Sequence, residues 1–300
     1  MKSFWSYTAL HIAIFSWGAS GIMANLLTLP SAGLVVYRAF IAFAVLLIYN
    51  YIMRTQQDMT MRDRIYILFT GVVLGAHWWC FFSGIQYSTV SIGLICISST
   101  PVFVAFIQPF VSKTKIKKSQ ILLGGLSMVA LAIIYNFESN YRFGIFLGIT
   151  AGFLDAVFTV MASRTKQTLT EASVTQYHTL GAGMVIFVVY GLSEPNWQWV
   201  TLQTTADIWG VLFLGIICSA LAMSLYLFAM KKLSAFTASL SLSLEAIYGI
   251  ILALIIFGER EVMSAGLYFG ATLLIGCVIA DGLWNRHVNA RQTQKLSAID

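Results

Sequence analysis

The sequence predicts an all-α integral membrane protein with ten transmembrane helices, arranged as two inverted five-helix repeats around a central cavity. Long apolar runs follow one another along nearly the whole chain, and the second half of the chain repeats the first. The chain is 58% hydrophobic and only 10% charged, with a mean hydropathy of +0.80. A soluble domain carries about 25% charged residues, so this chain lacks the polar surface that water requires. Almost no residues remain for a soluble domain.

The ten apolar runs predict the helices in order. Each is close to the ~20 residues that cross about 30 Å of hydrocarbon. The connections are short, so successive helices are expected to be antiparallel. The longest connection covers 193–205, where Pro195 and polar neighbours end any helix. The predicted helices cover 5–26, 32–53, 64–86, 89–112, 118–136, 142–163, 173–192, 206–230, 235–257 and 262–284.

An internal duplication divides the chain into two halves. The stretch FTGVVLGAHWWCFFSGIQYSTVS (69–91) is similar to FLGIICSALAMSLYLFAMKKLSA (213–235), about 144 positions later. QILLGGLSMVALAIIY (120–135) is similar to AGLYFGATLLIGCVIA (265–280) at nearly the same offset. Five helices per copy place the second copy upside down in the membrane, an arrangement that suits a site opening alternately to either side. The predicted units are 1–137, 138–285 and a cytoplasmic tail at 286–300.

The distribution of Lys and Arg predicts the orientation. Most of them fall on one side of the predicted topology, whereas Arg142 and Arg260 fall on the other and Arg38 lies within the second helix. This bias predicts that both termini are cytoplasmic, in a bacterial-type inner membrane. The net charge of +6 therefore reflects topology and contact with membrane lipid, not nucleic acid. The residues of the predicted inner side are Lys2, Arg54, Arg62, Arg64, Lys113, Lys115, Lys117, Lys118, Arg164, Lys166, Lys231, Lys232, Arg286, Arg291 and Lys295.

Motifs of other function classes are missing from the sequence. HExxH, GxSxG and GxxxxGK[ST] do not occur, so an enzyme and a directly ATP-driven pump are both disfavoured. The four cysteines fall inside predicted helices without other metal ligands at suitable spacing, which predicts packing roles and no metal or cofactor. A channel would need a continuous polar stripe. Short loops disfavour a receptor or scaffold.

The repeats resemble the ten-helix branch of the drug/metabolite transporter superfamily, the EamA-type exporters. The segment LSAFTASLSLSLEAIYGIILALIIFGERE (233–261) is similar to that family's Ser-Ala, Leu-Glu and Gly-Glu pattern, and 87–115 is its first-repeat counterpart. FSWGAS (15–20) resembles the family's first-helix motif, with 154–164 as its partner. The resemblance implies a basket lined by helices 1, 3, 4, 6, 8 and 9, with helices 5 and 10 peripheral. It also implies movement of small organic metabolites, often amino acids outward.

Polar residues at membrane depth are costly, which makes them functional candidates. Glu245 lies midway along the ninth predicted helix, and Ser241 and Tyr248 share its face at helical spacing. Glu245 is predicted to contact a substrate ammonium or carry a proton; a structural carboxylate that holds a neighbouring helix is the alternative. Asp155, with Thr159 one turn further on, is predicted to contact substrate or to bond another helix.

Aromatic residues at mid-depth predict the wall of the cavity. His77 and Trp78 lie in HWWCFF (77–82), Tyr226 lies in the matching region of the eighth helix, and Trp17 lies near the middle of the first. Such residues can stack on a ring or surround a quaternary ammonium. Packing against lipid or a neighbouring helix is the alternative interpretation.

Three residues are candidates for gating. Arg38 lies about 10 Å deep from the outer side, and His178 is near its repeat counterpart. The simplest interpretation of Arg38 is snorkelling to the interface; a gate hydrogen bond is the alternative. Pro101 removes a backbone donor, so the fourth helix is expected to bend there, with Ser98, Ser99 or Thr100 satisfying freed carbonyls.

Together these features predict a monomeric secondary transporter that moves a small-molecule substrate by alternating access. Export of an amino acid, aromatic or neutral, is the preferred function. The alternative is transport of an organic cation, quaternary amine or drug in an acidic, aromatic cavity. Protons are a candidate coupling ion.

Overall fold

The computed structural model describes residues 2–54, 59–113, 118–233, 235–261 and 263–296, and helices make up nearly all of this part of the chain. Seven of its helical stretches are long and apolar enough to cross a membrane, and Leu122–Phe137, Ser241–Phe257 and Ala265–Cys277 are shorter apolar helices. We number the helices α1 (Lys2–Leu26), α2 (Ser31–Ile52), α3 (Met61–Gln86), α4 (Val90–Ile97 and Thr100–Ser112), α5 (Lys118–Phe137), α6 (Arg142–Ala162), α7 (Glu171–Ser193), α8 (Thr205–Met230), α9 (Ala235–Phe257) and α10 (Ala265–Leu296).

Two helices are irregular where the sequence predicts single spans. α4 breaks at Ser98 and Ser99, immediately before Pro101. α8 contains a π-helical segment, Leu214–Leu221, which no sequence pattern indicated. α10 continues to Leu296 and so extends into the segment predicted as a tail. The break in α4 and the π-helical segment of α8 both lie beside the cavity described below. Such irregular helical segments are often found at functional sites in membrane proteins.

The capping of α3 and α8 reflects the duplication. Thr60 and Asp63 form a reciprocal capping box at the start of α3, and Thr204 and Asp207 form the same box at the start of α8. The two boxes are separated by the 144 positions that separate the repeats. Each box satisfies backbone N–H groups that a helix start leaves unbonded. The same local sequence signal therefore begins both helices, on opposite faces of the bundle.

Packing between helices follows a two-fold pattern. α3 packs on α6 and α7, and its repeat counterpart α8 packs on α1 and α2. α2 packs on α7, and α5 packs on α10, so each of these helices contacts its own counterpart. This pattern is the one expected of two inverted five-helix units. α5 and α10 form a pair at the periphery, whereas the remaining helices surround the centre.

Close packing of α3 against α7 depends on Gly71. A Cβ at this position would overlap the carbonyl oxygen of His178. Gly→Ala at position 71 is therefore expected to lower the Tm of the detergent-solubilised protein by roughly 3–10 °C, as overpacking typically costs about 1–3 kcal/mol. Gly125→Ala is the matched control, because nothing lies within 4 Å of its Cβ. Equal Tm values for both variants would contradict the close contact.

The bundle has two distinct ends. We call one the basic face, since it carries Arg62 at the start of α3 and Arg164, Lys166 and Lys231 on the loops that follow α6 and α8. Ion pairs between Lys166 Nζ and Asp63 (2.7 Å) and between Lys231 Nζ and Glu171 (2.8 Å) join these loops to the first turns of α3 and α7.

The other end, which we call the far face, holds the connections 27–30, 87–89, 138–141 and 194–204 and residues 258–261 and 263–264. The buried Asp207 carboxylate accepts hydrogen bonds there from the Thr28 backbone N–H and hydroxyl, both at 2.8 Å. Glu261 accepts from the backbone N–H groups of Val90 (3.1 Å) and Ser91 (2.8 Å), which ties the end of α9 to the start of α4. Buried carboxylates thus hold the connections of the far face together.

Candidate substrate cavity

A small cavity lies at the centre of the bundle. Its volume is about 40 Å³, room for about three waters and far below the about 300–1,000 Å³ of typical ligand pockets. The cavity is therefore nearly collapsed in this conformation, and binding of an organic molecule requires the surrounding helices to move apart. The lining residues come from α1, α2, α3, α4, α6, α8 and α9: Trp17, Ser20, Arg38, Leu74, His77, Trp78, Phe81, Ile97, Asp155, Phe158, Met223, Tyr226, Leu242 and Glu245.

Most of the residues predicted to bind substrate meet at this cavity. The six that line it are Trp17, His77, Trp78, Asp155, Tyr226 and Glu245. Thr159 lies directly behind the wall, with its hydroxyl 3.1 Å from that of Tyr226. Ser241 and Tyr248 are not among the lining residues. The Tyr248 ring instead packs edge-on against Phe15 of α1, with centroids 5.8 Å apart.

Arg38 does not snorkel to the interface, so the simplest sequence interpretation is wrong. Its side chain is 1% exposed and lines the cavity. Nε donates to the Ser219 hydroxyl at 2.9 Å, and the guanidinium carbon lies 4.0 Å from the centroid of the Trp78 ring. Nη2 makes a long contact of 3.4 Å with the Cys218 carbonyl oxygen. These partners come from α3 and α8, and they hold the cation inside the bundle.

Arg38 forms no ion pair with the acidic side chains that the structure describes. The ion pairs found in the described part of the chain are Lys166–Asp63 and Lys231–Glu171, both at the basic face. No carboxylate among those residues therefore lies within 4.0 Å of the Arg38 guanidinium. A buried charge is stable only when it is paired and hydrogen-bonded. The cavity thus contains a cation with donors available to an anion that enters it.

Two carboxyl groups and an imidazole also line the cavity. Glu245 is buried and Asp155 is partly buried, and both line the cavity. His77 Nδ1 lies 3.0 Å from the Ala151 carbonyl oxygen, which only accepts, so Nδ1 carries the proton of the bond. In a neutral imidazole this assignment leaves Nε2 as an acceptor. One cavity therefore offers groups for both an anion and an ammonium.

The π-helical segment of α8 sets the geometry of the aromatic wall. The Cys218 carbonyl accepts a hydrogen bond from Trp17 Nε1 at 2.7 Å. The Trp17 ring then meets the Tyr226 ring edge-on at 5.2 Å. Ser219, the partner of Arg38, donates its own hydroxyl to the Leu214 carbonyl five residues earlier at 2.8 Å. Sequence reasoning missed Ser219 because a short hydroxyl residue in an apolar helix carries no distinctive signal.

The predicted gating residues have different surroundings. The break of α4 precedes Pro101, and the hydroxyl groups of Ser98, Ser99 and Thr100 donate to the carbonyls of Leu94 (3.0 Å), Cys96 (2.6 Å) and Ile97 (2.8 Å). His178 is fully buried, and its ring meets Phe158 edge-on at 5.2 Å. The roles of Arg38, Pro101 and His178 in gating remain predictions.

A duplicated helical fold around a polar cavity, in a chain with membrane-spanning helices, defines a multi-pass membrane transporter of small molecules. The profile of the EamA-like transporter family matches residues 4–136 and 142–280, so the chain belongs to this family.

Two individual proteins are similar to the chain. The uncharacterized transporter YetK of Bacillus subtilis (strain 168) is 26% identical over 272 residues, which cover 84% of this chain and 81% of YetK. A protein of known crystal structure has a TM-score of 0.65 and 14% identity, with 91% of this chain and 95% of that chain covered. At that identity the second similarity concerns the fold alone.

Proposed function

We propose that the protein exports neutral amino acids, including aromatic ones, as a secondary transporter that works by alternating access. The presence of a guanidinium and two carboxyl groups in one cavity is the observation that carries this proposal. Arg38 is suited to the carboxylate of a zwitterion, and Asp155, Glu245 and the His77 acceptor are suited to its ammonium. The rings of Trp17 and Trp78 provide apolar surface for the side chain.

Transport of an organic cation is the second candidate. It is favoured by two carboxylates next to the aromatic wall of Trp17, Trp78 and Tyr226, because aromatic faces and anions attract quaternary ammonium groups. The buried Arg38 guanidinium opposes it, since a cation without a carboxylate would enter beside an unpaired positive charge. The positive charge of Arg38 therefore favours a zwitterion over an organic cation as substrate.

Orientation follows from the distribution of charge. The basic face is the cytoplasmic one by the positive-inside rule, which places both termini in the cytoplasm of a bacterial-type inner membrane. Export then begins at the basic face and ends at the far face. Asp155 and Glu245 are the candidate carriers of a coupling proton. The protein acts as a monomer, since the cavity lies within a single chain.

Flux measurements in proteoliposomes test this function. The purified protein should give saturable uptake of labelled neutral amino acids, with competition by other zwitterions and weaker competition by amines or carboxylic acids alone. A panel of amino acids and quaternary amines, tested with and without a pH gradient, separates the two candidate substrate classes and shows whether protons are coupled. Competition by cations only would contradict amino-acid export.

Asp155→Asn is expected to reduce kcat/KM for a neutral amino acid about tenfold, because it removes one of two carboxylates near the ammonium but leaves Glu245 in place. Uptake kinetics of the variant and the unchanged protein measure the effect. Carboxylic acids without an amine should compete equally well in both proteins. Loss of binding for quaternary amines alone, with amino acids unaffected, would favour the organic-cation function.

A further inference from the structure

The imidazole of His178 has no hydrogen-bond partner among the described residues. The side chain is 0% exposed, and neither Nδ1 nor Nε2 is within reach of a protein donor or acceptor. Both nitrogens are also inaccessible to solvent in this conformation. A neutral imidazole carries one donor and one acceptor, and burying them unpaired is unfavourable. Such a group calls for an explanation.

Packing shows that His178 is the structural counterpart of Arg38. A Cβ at Gly71 of α3 would meet the His178 carbonyl oxygen, and a Cβ at Gly215 of α8 would lie 3.4 Å from the Arg38 carbonyl oxygen. Gly71 and Gly215 are separated by the 144 positions of the repeat. His178 therefore has the same place on α7, relative to α3, that Arg38 has on α2, relative to α8.

The surroundings of the two residues differ in a way that explains the missing partners. Arg38 donates a hydrogen bond to Ser219 and stacks on Trp78. The residues equivalent to Ser219 and Trp78 in the other repeat, 144 positions away, are Gly75 and Ala222. His178 thus lacks both the hydroxyl and the large aromatic face. Phe158 contacts its ring edge-on and also lines the cavity. The Phe158 side chain therefore contacts both the imidazole and the cavity.

We propose that His178 contacts the substrate carboxylate from the basic-face half of the path, as the counterpart of Arg38 in the far-face half. An imidazole N–H donates to the carboxylate once the basic face opens and Phe158 turns away. Inverted repeats open each face by the movement of one half against the other, so equivalent residues serve opposite faces. This inference rests on the proposed function, because it requires a substrate with a carboxylate.

His178→Phe tests this role in proteoliposomes of fixed orientation. KM measured from the basic face should rise about tenfold or more with loss of a hydrogen bond to a charged group, while KM from the far face stays within about twofold. The Tm should be unchanged or higher, since the variant removes a buried polar group without partners. His11→Phe is the matched control, because His11 is exposed on α1. It should change neither KM.

Several outcomes would overturn the inference. If His178→Phe has wild-type KM values from both faces, His178 has only a packing role. Equal increases in KM at both faces, together with a lower Tm, would lead to the same conclusion. His178→Gln retains an N–H donor, so its KM from the basic face should lie between those of the unchanged protein and of His178→Phe. If His178→Phe does not fold, His178→Leu replaces it as the variant without a donor. A KM from the basic face that is no lower for His178→Gln than for His178→Phe would also contradict the role.

Labelling separates this inference from the proposed function. His178→Cys should react with a membrane-impermeant thiol reagent added at the basic face, and the unchanged protein sets the background because its four cysteines are buried. Labelling without any amino-acid flux would leave His178 on the path and refute the substrate class. Amino-acid flux by the unchanged protein without labelling of the variant from the basic face would refute the role of His178 alone.

Discussion

Arg38→Gln is expected to cause the largest loss of transport, with kcat/KM for neutral amino acids reduced about 150-fold to 5,000-fold. If Arg38 binds the substrate carboxylate as proposed, the substitution leaves that carboxylate buried in the cavity without its cation, and breaking a buried pair costs about 3–5 kcal/mol. Initial rates of uptake over a range of substrate concentrations measure the effect. Thermal unfolding of the purified variant verifies that it is folded.

Two further variants define the role of the guanidinium. Arg38→Lys keeps the positive charge but loses the planar stacking on Trp78 and the bond from Nε to Ser219, so an intermediate loss is expected. Arg142→Gln is the matched control, because Arg142 is exposed at the far-face start of α6 and lies outside the cavity. If Arg38→Gln takes up amino acids at the wild-type rate, binding of the substrate carboxylate by Arg38 is ruled out.

Glu245→Gln is expected to have the second largest effect, a loss of about 10-fold to 100-fold in kcat/KM. The variant keeps the shape of the side chain and removes the negative charge proposed to bind the substrate ammonium, a charge-assisted bond worth about 1.5–3 kcal/mol. If Glu245 also carries the coupling proton, the variant should lose any stimulation of flux by a pH gradient. Uptake with and without the gradient measures both effects.

The structural alternative for Glu245 has a different signature. A carboxylate that only holds a neighbouring helix would lower the Tm when changed to Gln, and the response to the pH gradient would persist. Glu194→Gln is the matched control, because Glu194 is exposed at the far face. Flux and KM equal to those of this control would exclude a role for the Glu245 charge in transport.

Local signals in the sequence were sufficient for the elements of the fold. Apolar runs of membrane-crossing length predicted the helices because the bilayer sets that length whatever the neighbours are. The boxes at Thr60–Asp63 and Thr204–Asp207 begin α3 and α8 by contacts within four residues. Position at mid-depth was also sufficient to predict that Trp17, His77 and Glu245 line the cavity, since polar and amphipathic groups are costly against lipid.

Contacts between helices determined the directions of individual side chains and the position of the π-helical segment. Ser241 and Tyr248 share a helical face with Glu245, but the packing of α9 against α1 directs Tyr248 toward Phe15. The carboxylate of Asp207 reaches across to Thr28, a partner that no local pattern in the sequence identifies. The π-helical segment likewise depends on the neighbours of α8, because its Cys218 carbonyl is bonded by Trp17 of α1.

The sequence by itself determined the ten-helix duplication, because hydrophobic length and repeat spacing are properties of the chain alone. Only the tertiary structure decided the character of the site. Arg38 near the end of an isolated helix would extend to the interface, but Ser219 and Trp78 hold it inside the bundle. The energy of a buried charge depends on its surroundings, and those are contributed by helices distant in sequence.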